Sequence, residues 1–265
     1  MNDIEEYYNI RYDEWTRLER HRIEYEITKK VMREYINDNS EVLDAGGGPG
    51  RYSIYLAQNG HKVTLLDLSE SLVEQAKKNA ANAGVVVQDF IRGSVLELET
   101  LMPNKSFDAV LCMGPMYHLL EEYERKEAIR QCLGLLKPGG ILIVAFISAY
   151  APILGCIKAY PHEIKDRKPR FIQYLSDGRS LNDPGFTDAY FTNPADIETM
   201  FSDFKLETKR IMAVEGLGCL CENSLMQLPE NDFMEWVDLL YQISDRKEIL
   251  GSCSHLLYVG RKLVE

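Results

Sequence analysis

The feature that most constrains this chain is a short strand, Val42-Leu43-Asp44-Ala45, that runs into Gly46-Gly47-Gly48-Pro49-Gly50 and then into a helix from about Arg51 to Gln58. Asn59-Gly60 stops that helix, and the pattern then repeats. Lys62 to Leu66 reads as a strand ended by Asp67, and Ser69 as the N-cap of a helix running to about Ala83. Leu72, Ala76, Ala80 and Ala83 form its apolar face. Val85 to Ile91 and Phe107 to Cys112 read as the third and fourth strands, and Glu121 to Leu136 as a helix. Pro138-Gly139-Gly140 turns the chain into a fifth strand, Ile141 to Ile147. Strands that alternate with helices imply a parallel sheet covered on both faces. Right-handed crossovers then narrow the topology to a doubly wound α/β sheet.

The flanks complete this plan. Residues 13–37 carry Ile23, Ile27, Val31 and Tyr35 at helical spacing, which predicts one N-terminal helix. Residues 148–192 break the rhythm with several prolines and glycines and read as a cap insertion after strand 5. A helix near Pro194 to Phe201, a strand near Lys205 to Val214, a helix near Glu230 to Ser244 and a strand near Ser254 to Lys262 follow. The expectation is a single domain over 1–265: an N-terminal helical segment (1–37), a ligand-binding core (38–147), the cap (148–192) and the C-terminal part of the sheet (193–265). A chain of 265 residues suits one large α/β domain.

Composition removes several classes. A net charge of −11 opposes a protein that tracks nucleic-acid phosphates. The N-terminus shows neither the basic nor the apolar region of an export signal. The uncharged stretch Gly139 to Ile157 approaches the length of a membrane span, but its double glycine, its β-branched run and Pro152 favour a buried strand entering a loop. Six cysteines without a Cys-x-x-Cys pair read as reduced thiols of a cytoplasmic protein. Five scattered histidines offer no zinc spacing, so no metal is expected.

The chemistry begins at Asp44–Gly50. Ligands of open parallel sheets bind beyond the carboxyl ends of the strands, where a glycine turn admits them to the backbone. Asp67, at the end of the next strand, stands where a ribose diol would be held; a helix cap or a solvated acid is the plainer reading. The dinucleotide pattern G-x-G-x-x-G fails, because Arg51 occupies the last glycine position counted from Gly46. An acid at the head of the turn, Asp44, suits a ligand with a cationic amine and opposes a pyrophosphate.

Leu43–Gly50 resembles the first motif of class I S-adenosylmethionine-dependent methyltransferases. Val63–Ser69 resembles their second-strand motif, Ser106–Cys112 their fourth strand, and Leu135–Gly140 the turn into their fifth. The resemblance covers roughly residues 40–147. It implies a Rossmann-like fold with a mostly parallel seven-stranded sheet that ends in an antiparallel hairpin, and S-adenosylmethionine as cofactor. It also implies cofactor-binding roles. Asp44, Ala45, Gly46 and Gly48 would line the methionine end, Asp67 would hold the ribose, and Leu68 would pack on adenine. Cys112 and Met113 would flank the cofactor after the fourth strand. Where many relatives carry an acid for the adenine amino group, this chain has Ser94, so Ser94 and the Val95 N–H take that place.

For the acceptor, Gly114-Pro115-Met116-Tyr117-His118 follows the fourth strand. His118 and Tyr117 are candidate catalytic residues, with His118 as base or, alternatively, as packing against the sheet edge. Tyr7, Tyr8, Tyr12 and Trp15 form an aromatic cluster that reads as a lid or as the buried side of the first helix. The cap offers Tyr150, Tyr160, Phe171 and Tyr174 as a pocket wall. Lys158, Lys165, Arg167, Lys168 and Arg170 of the cap either meet an anionic acceptor or stay solvated. The expected activity is methyl transfer to a small-molecule acceptor, without nucleic-acid or membrane partners. A protein or RNA methyltransferase and a non-catalytic cofactor-binding regulator are the alternatives.

Overall fold

The computed structural model describes residues 14–183 and 187–264. Seven strands form one sheet in the order β3-β2-β1-β4-β5-β9-β8. They are β1 (Glu41–Ala45), β2 (Lys62–Asp67), β3 (Asp89–Arg92), β4 (Phe107–Cys112), β5 (Leu136–Ile147), β8 (Leu206–Ala213) and β9 (His255–Lys262). A separate hairpin pairs β6 (Arg179–Ser180) with β7 (Ala189–Tyr190). The first five sheet strands run parallel; β9 is antiparallel to both β5 and β8. Strand order reverses between β1 and β4, so the crevice beyond their carboxyl ends is the expected ligand position.

Helices α1 (Glu14–Arg20), α2 (Arg22–Tyr35), α3 (Arg51–Gln58), α4 (Glu70–Asn82), α5 (Glu122–Gly134), α6 (Ala151–Ala159), α7 (Ile164–Asp177) and α8 (Glu230–Ile243) flank the strands. Two apolar layers result. One packs Ile23, Ile27 and Val31 of α2 and Phe233 of α8 on Val42, Leu111, Ile143 and Leu257. The other packs Ile129 and Cys132 of α5 and Phe201 on Leu43, Val110, Leu142 and Tyr258. Phe201 stacks on Tyr258 at a centroid distance of 3.6 Å. Alternate residues of each strand serve opposite layers, as the pleat requires.

Several boundaries differ from the sequence expectation. The N-terminal helix is two helices broken at His21, and Glu222 supplies the missing cap by accepting from the Ile23 N–H at 3.0 Å. The third strand begins at Asp89 rather than Val85, because Gly84 ends its helix with positive φ and 85–88 only carry the chain to the sheet edge. The fifth strand begins at Leu136, so Pro138-Gly139-Gly140 lies inside it at a shift of register against β4. This also ends α5 at Gly134. The Gly139–Ile157 stretch leaves its strand for helix α6 rather than for a loop, and the 148–192 segment is mostly helical. Its small core is Ala149, Cys156, Phe171, Tyr174, Ala189 and Phe191. Among the described residues, no helix is long and apolar enough to cross a membrane. All six cysteines are unpaired.

Candidate active site

The glycine turn after β1 is stitched to the end of β2. Gly46 and Gly47 N–H groups donate to the Leu66 carbonyl at 2.7 and 3.1 Å, and the Gly48 N–H donates to Asp67 Oδ2 at 2.8 Å. Gly46 has φ +83°, and a Cβ there would meet Pro115 Cδ at 2.5 Å, so only glycine fits. Asp67 Oδ1 accepts from the Ser69 N–H at 2.9 Å, while Ser69 Oγ caps α4 by accepting from the Leu72 N–H. Asp67 thus anchors the turn as well as facing the crevice.

Asp44 is 1% exposed. Its Oδ2 accepts from Ser53 Oγ at 2.6 Å, and its Oδ1 is buried without a hydrogen-bond partner. Burial, together with the nearby charge of Asp67 and against the Ser53 bond, raises the Asp44 pKa to about 6. A buried carboxylate with an orphan oxygen lacks a donor, and a ligand ammonium has the chemistry to supply one.

These groups open on a cavity of about 680 Å³. Asp44, Gly46, Gly48, Asp67, Leu68, Ser94, Val95 and Met113, all singled out from sequence, line it. Ser94 Oγ accepts from the Leu96 N–H at 3.2 Å. Ala45 and Cys112 do not line it. Their side chains lie in the core, where Cys112 contacts the Cys132 thiol.

The cavity continues beyond β4 over the β5-β9-β8 side of the sheet. There Ala145, Ile147, Val214 and Leu257 form an apolar floor, and Arg17, Leu18, His21, Glu24 and Thr28 of α1 and α2 form the cover. Tyr117 and His118 stand at the border of the two halves, their rings 4.6 Å apart. His118 Nδ1 lies 3.2 Å from Thr187 Oγ1, and loss of water around the ring lowers its pKa to about 3. A neutral imidazole with so little proton affinity is a weak base.

The cover differs from the sequence reading. Trp15 packs against the Arg51 guanidinium, 4.7 Å from its ring; Tyr7, Tyr8 and Tyr12 lie outside the described residues. Phe171 and Tyr174 belong to the separate core of the cap and Tyr160 is half exposed, so the cap aromatics do not wall the cavity. The cap contributes Asp188 to the lining. Its cations remain at the surface, with Arg167 on Glu163 and Arg170 on Asp183.

Sequence reasoning missed a cluster at the far end. The two Arg17 guanidinium amines donate one to each Glu24 oxygen, at 2.7 and 2.8 Å. Glu24 Oε2 lies 3.4 Å from His255 Nδ1, which bonds Glu215 Oε1, and the His255 N–H donates to Glu215 Oε2 at 3.0 Å. Against the cost of burial, Arg17 and His255 hold the Glu24 pKa at about 2. Burial would lower His255, but Glu24 and Glu215 outweigh it and raise its pKa to about 9. Ligand atoms of Glu24, Glu215 and His255 lie within 4.8 Å of one another. Arg17 already neutralises Glu24, so the group is compensated as an ion-pair cluster.

Comparison with known proteins adds to this geometry. Residues 42–140 match a family model described as a methyltransferase domain. This stretch, from β1 into β5, is the core of a class I S-adenosylmethionine-dependent methyltransferase domain. An ubiquinone biosynthesis O-methyltransferase of Rickettsia canadensis is 29% identical over 72% of this methyltransferase and 72% of its own length. The corresponding protein of Xanthomonas euvesicatoria is 37% identical over 44% of the chain and 49% of its own length, so the match spans about half of that relative. A tRNA 5-carboxymethoxyuridine methyltransferase of Escherichia coli is 29% identical over 47% of each chain. Among solved structures, the magnesium protoporphyrin IX methyltransferase of Synechocystis with bound S-adenosylhomocysteine has a TM-score of 0.58 at 18% identity. That similarity covers 98% of this chain and 97% of the other, and it shows the shared fold.

Proposed function

We propose that this methyltransferase acts on the oxygen of a small, largely apolar acceptor. The observation that carries the reading is the shape of the cavity: one end has the acceptors for a nucleoside with a cationic amine, and the other is a chamber with an apolar floor, roofed by α1 and α2. When bound, S-adenosylmethionine supplies a methyl group on a sulfonium, open to in-line displacement. Asp44 Oδ1 would accept from its ammonium, Asp67 from the ribose hydroxyls, and Ser94 with the Val95 N–H would face adenine; Leu68 would cover the ring. The chain's other work is to orient the acceptor and to exclude water. The names of the Rickettsia and Xanthomonas relatives favour an oxygen acceptor. The E. coli relative raises an RNA acceptor, but a net charge of −11 and the acids Glu121, Glu124 and Asp188 on the cavity wall oppose a polyanion. The division of the chain into a binding core, a cap at 148–192 and a C-terminal sheet half acting as one domain belongs to the same proposal.

Calorimetry with S-adenosylhomocysteine, followed by transfer from labelled S-adenosylmethionine to hydroxylated aromatic compounds and to tRNA, tests the reading. Binding together with transfer to the aromatic compounds is expected. Transfer to tRNA alone would refute the acceptor class, and absence of cofactor binding would refute the site.

A further inference from the structure

Resting on that reading, we propose that His255, held by Glu215 and Glu24, is the group that takes the proton of the acceptor hydroxyl and pairs with the resulting oxyanion. The sheet places it for this. Ile147 pairs with His255 and Ala145 with Leu257, so these four side chains share one face at the carboxyl edge of β5, where the cavity floor lies. Glu215 follows β8 and clamps both the His255 N–H and Nδ1. A carboxylate on Nδ1 fixes the ring and leaves Nε2 as the reactive nitrogen. Nε2 has no protein partner among the described residues, and the ring is about one-fifth exposed on the cavity wall. The floor beside it is apolar, so this cluster is a polar anchor for an acceptor docked on Leu18, Ala145, Ile147, Val214 and Leu257.

The choice between the two cavity histidines follows from proton affinity. A phenolic hydroxyl titrates near pH 10, so the base that removes its proton needs a high proton affinity, and it acts through the fraction left unprotonated at the working pH. His255, at about 9, is matched to a phenol, whereas His118, at about 3, is not. The groups that face His255 are Glu24 of α2 with Arg17 of α1 behind it and Glu215 beyond β8; the thiols of Cys219 and Cys253 lie near Glu215, and the His21–Glu222 pair lies next to Glu24. In the step, the acceptor O–H bond breaks and its proton goes to Nε2. The oxygen lone pair forms the C–O bond to the methyl carbon, and the C–S pair stays on sulfur. The apolar floor of Ala145, Ile147, Val214 and Leu257 beside this base has the character to take the ring of a phenol or catechol, which is the acceptor class of the proposal.

The test uses the full chain saturated with S-adenosylhomocysteine and 4-nitrocatechol as probe. Histidine labelled with ¹³C reports His255, assigned through His255→Gln, and probe absorbance reports its ionisation. Expected are a shift of the His255 signal on adding the probe, and bound probe that ionises at lower pH than free probe. With S-adenosylmethionine and unsubstituted catechol, whose hydroxyl stays protonated across this range, log kcat/KM should rise with unit slope and level near pH 9 in the parent. In Glu215→Gln it should level at lower pH, with a plateau at least tenfold lower. Because the absorbance of the bound probe is read in the parent alone, a variant that fails to fold leaves the test intact, and bound probe that ionises at the same pH as free probe would overturn the inference. Failure of S-adenosylhomocysteine to bind would overturn the functional reading itself. Cofactor binding with an unmoved His255 signal, or transfer abolished by EDTA and restored by Mg²⁺, would overturn this inference alone.

Discussion

Asp44→Asn is expected to stabilise the apo protein while it damages cofactor binding. The carboxyl ionises near pH 6 in the fold against 3.8 in the unfolded chain. A folded-state pKa above the unfolded one favours folding at low pH, and that contribution is lost as pH rises through about 6. A shift of about two units corresponds to about 3 kcal/mol of cost at pH 8. Asn removes the charge but retains a partner for Ser53 Oγ, which donates to Asp44 Oδ2. Its amide group also needs an acceptor, so a net gain of about 1–2 kcal/mol is the working figure. For a chain of this size that raises Tm by about 2–8 °C at pH 8, and the gain should vanish by about pH 4. S-adenosylhomocysteine loses a hydrogen bond between charged groups, and its Kd should rise about 10- to 100-fold. Thermal melts across pH and calorimetry measure both effects. A variant that melts below the parent at pH 8 would show that the ionised carboxylate stabilises the apo fold. Parental affinity for the ligand would remove Asp44 from the cofactor site.

Asp67→Ala should weaken S-adenosylhomocysteine by about 1.5–3 kcal/mol in calorimetry and lower Tm as well, because Asp67 also accepts from the Gly48 and Ser69 N–H groups. Glu222→Ala removes the cap of α2 and should cost about 0.5–2 kcal/mol in denaturant unfolding; an unchanged midpoint would mean that the His21 break is capped otherwise. On addition of S-adenosylhomocysteine, hydrogen exchange should slow in 14–28 and 187–190 but not across α6 and α7, since α1, α2 and the 187–190 return line or border the cavity and the cap helices do not. Protection confined to the cap helices would contradict the placement of the cover.

The parallel core was legible because its signals are local. Gly50, Asn59-Gly60 and Gly84 punctuate the chain where the structure has αL or turn geometry, and Ser69 caps α4 as its side chain suggests. The misread boundaries share one cause. Where Val85–Val87 and Leu136–Gly140 lie, strand propensity says nothing about which residues find a hydrogen-bonding neighbour. Asp89 pairs because β2 offers Thr64 opposite it, and Leu136 pairs because Phe107 stands opposite it. In the cap, Phe171 and Tyr174 read as a pocket wall because they follow the ligand edge of the sheet. They turn instead toward Phe191, which returns from the β6–β7 hairpin to meet them.

The site divides along the same line. The cofactor end is one turn and one neighbouring strand end, so Asp44, Gly48 and Asp67 could be read together. The other end joins Arg17 and Glu24 to Glu215 and His255 across about 200 residues, and no spacing rule reaches that far. One local conflict did mark it. Glu24 falls beside Ile23 on the stripe that Ile27 and Val31 continue, and it is 7% exposed in the fold. An acid on the buried side of an amphipathic helix must find a cation, or it would take up a proton. Arg17, one helix earlier, is the first such cation, and its bidentate bonds bring Glu24 to rest against His255. Breaking either partner alone leaves an uncompensated charge under the roof of the cavity, which costs more than the pair contributes. The cluster therefore ties α1 and α2 to the β8 and β9 ends as one unit, and the chamber between them keeps an apolar floor with a charged anchor beside it.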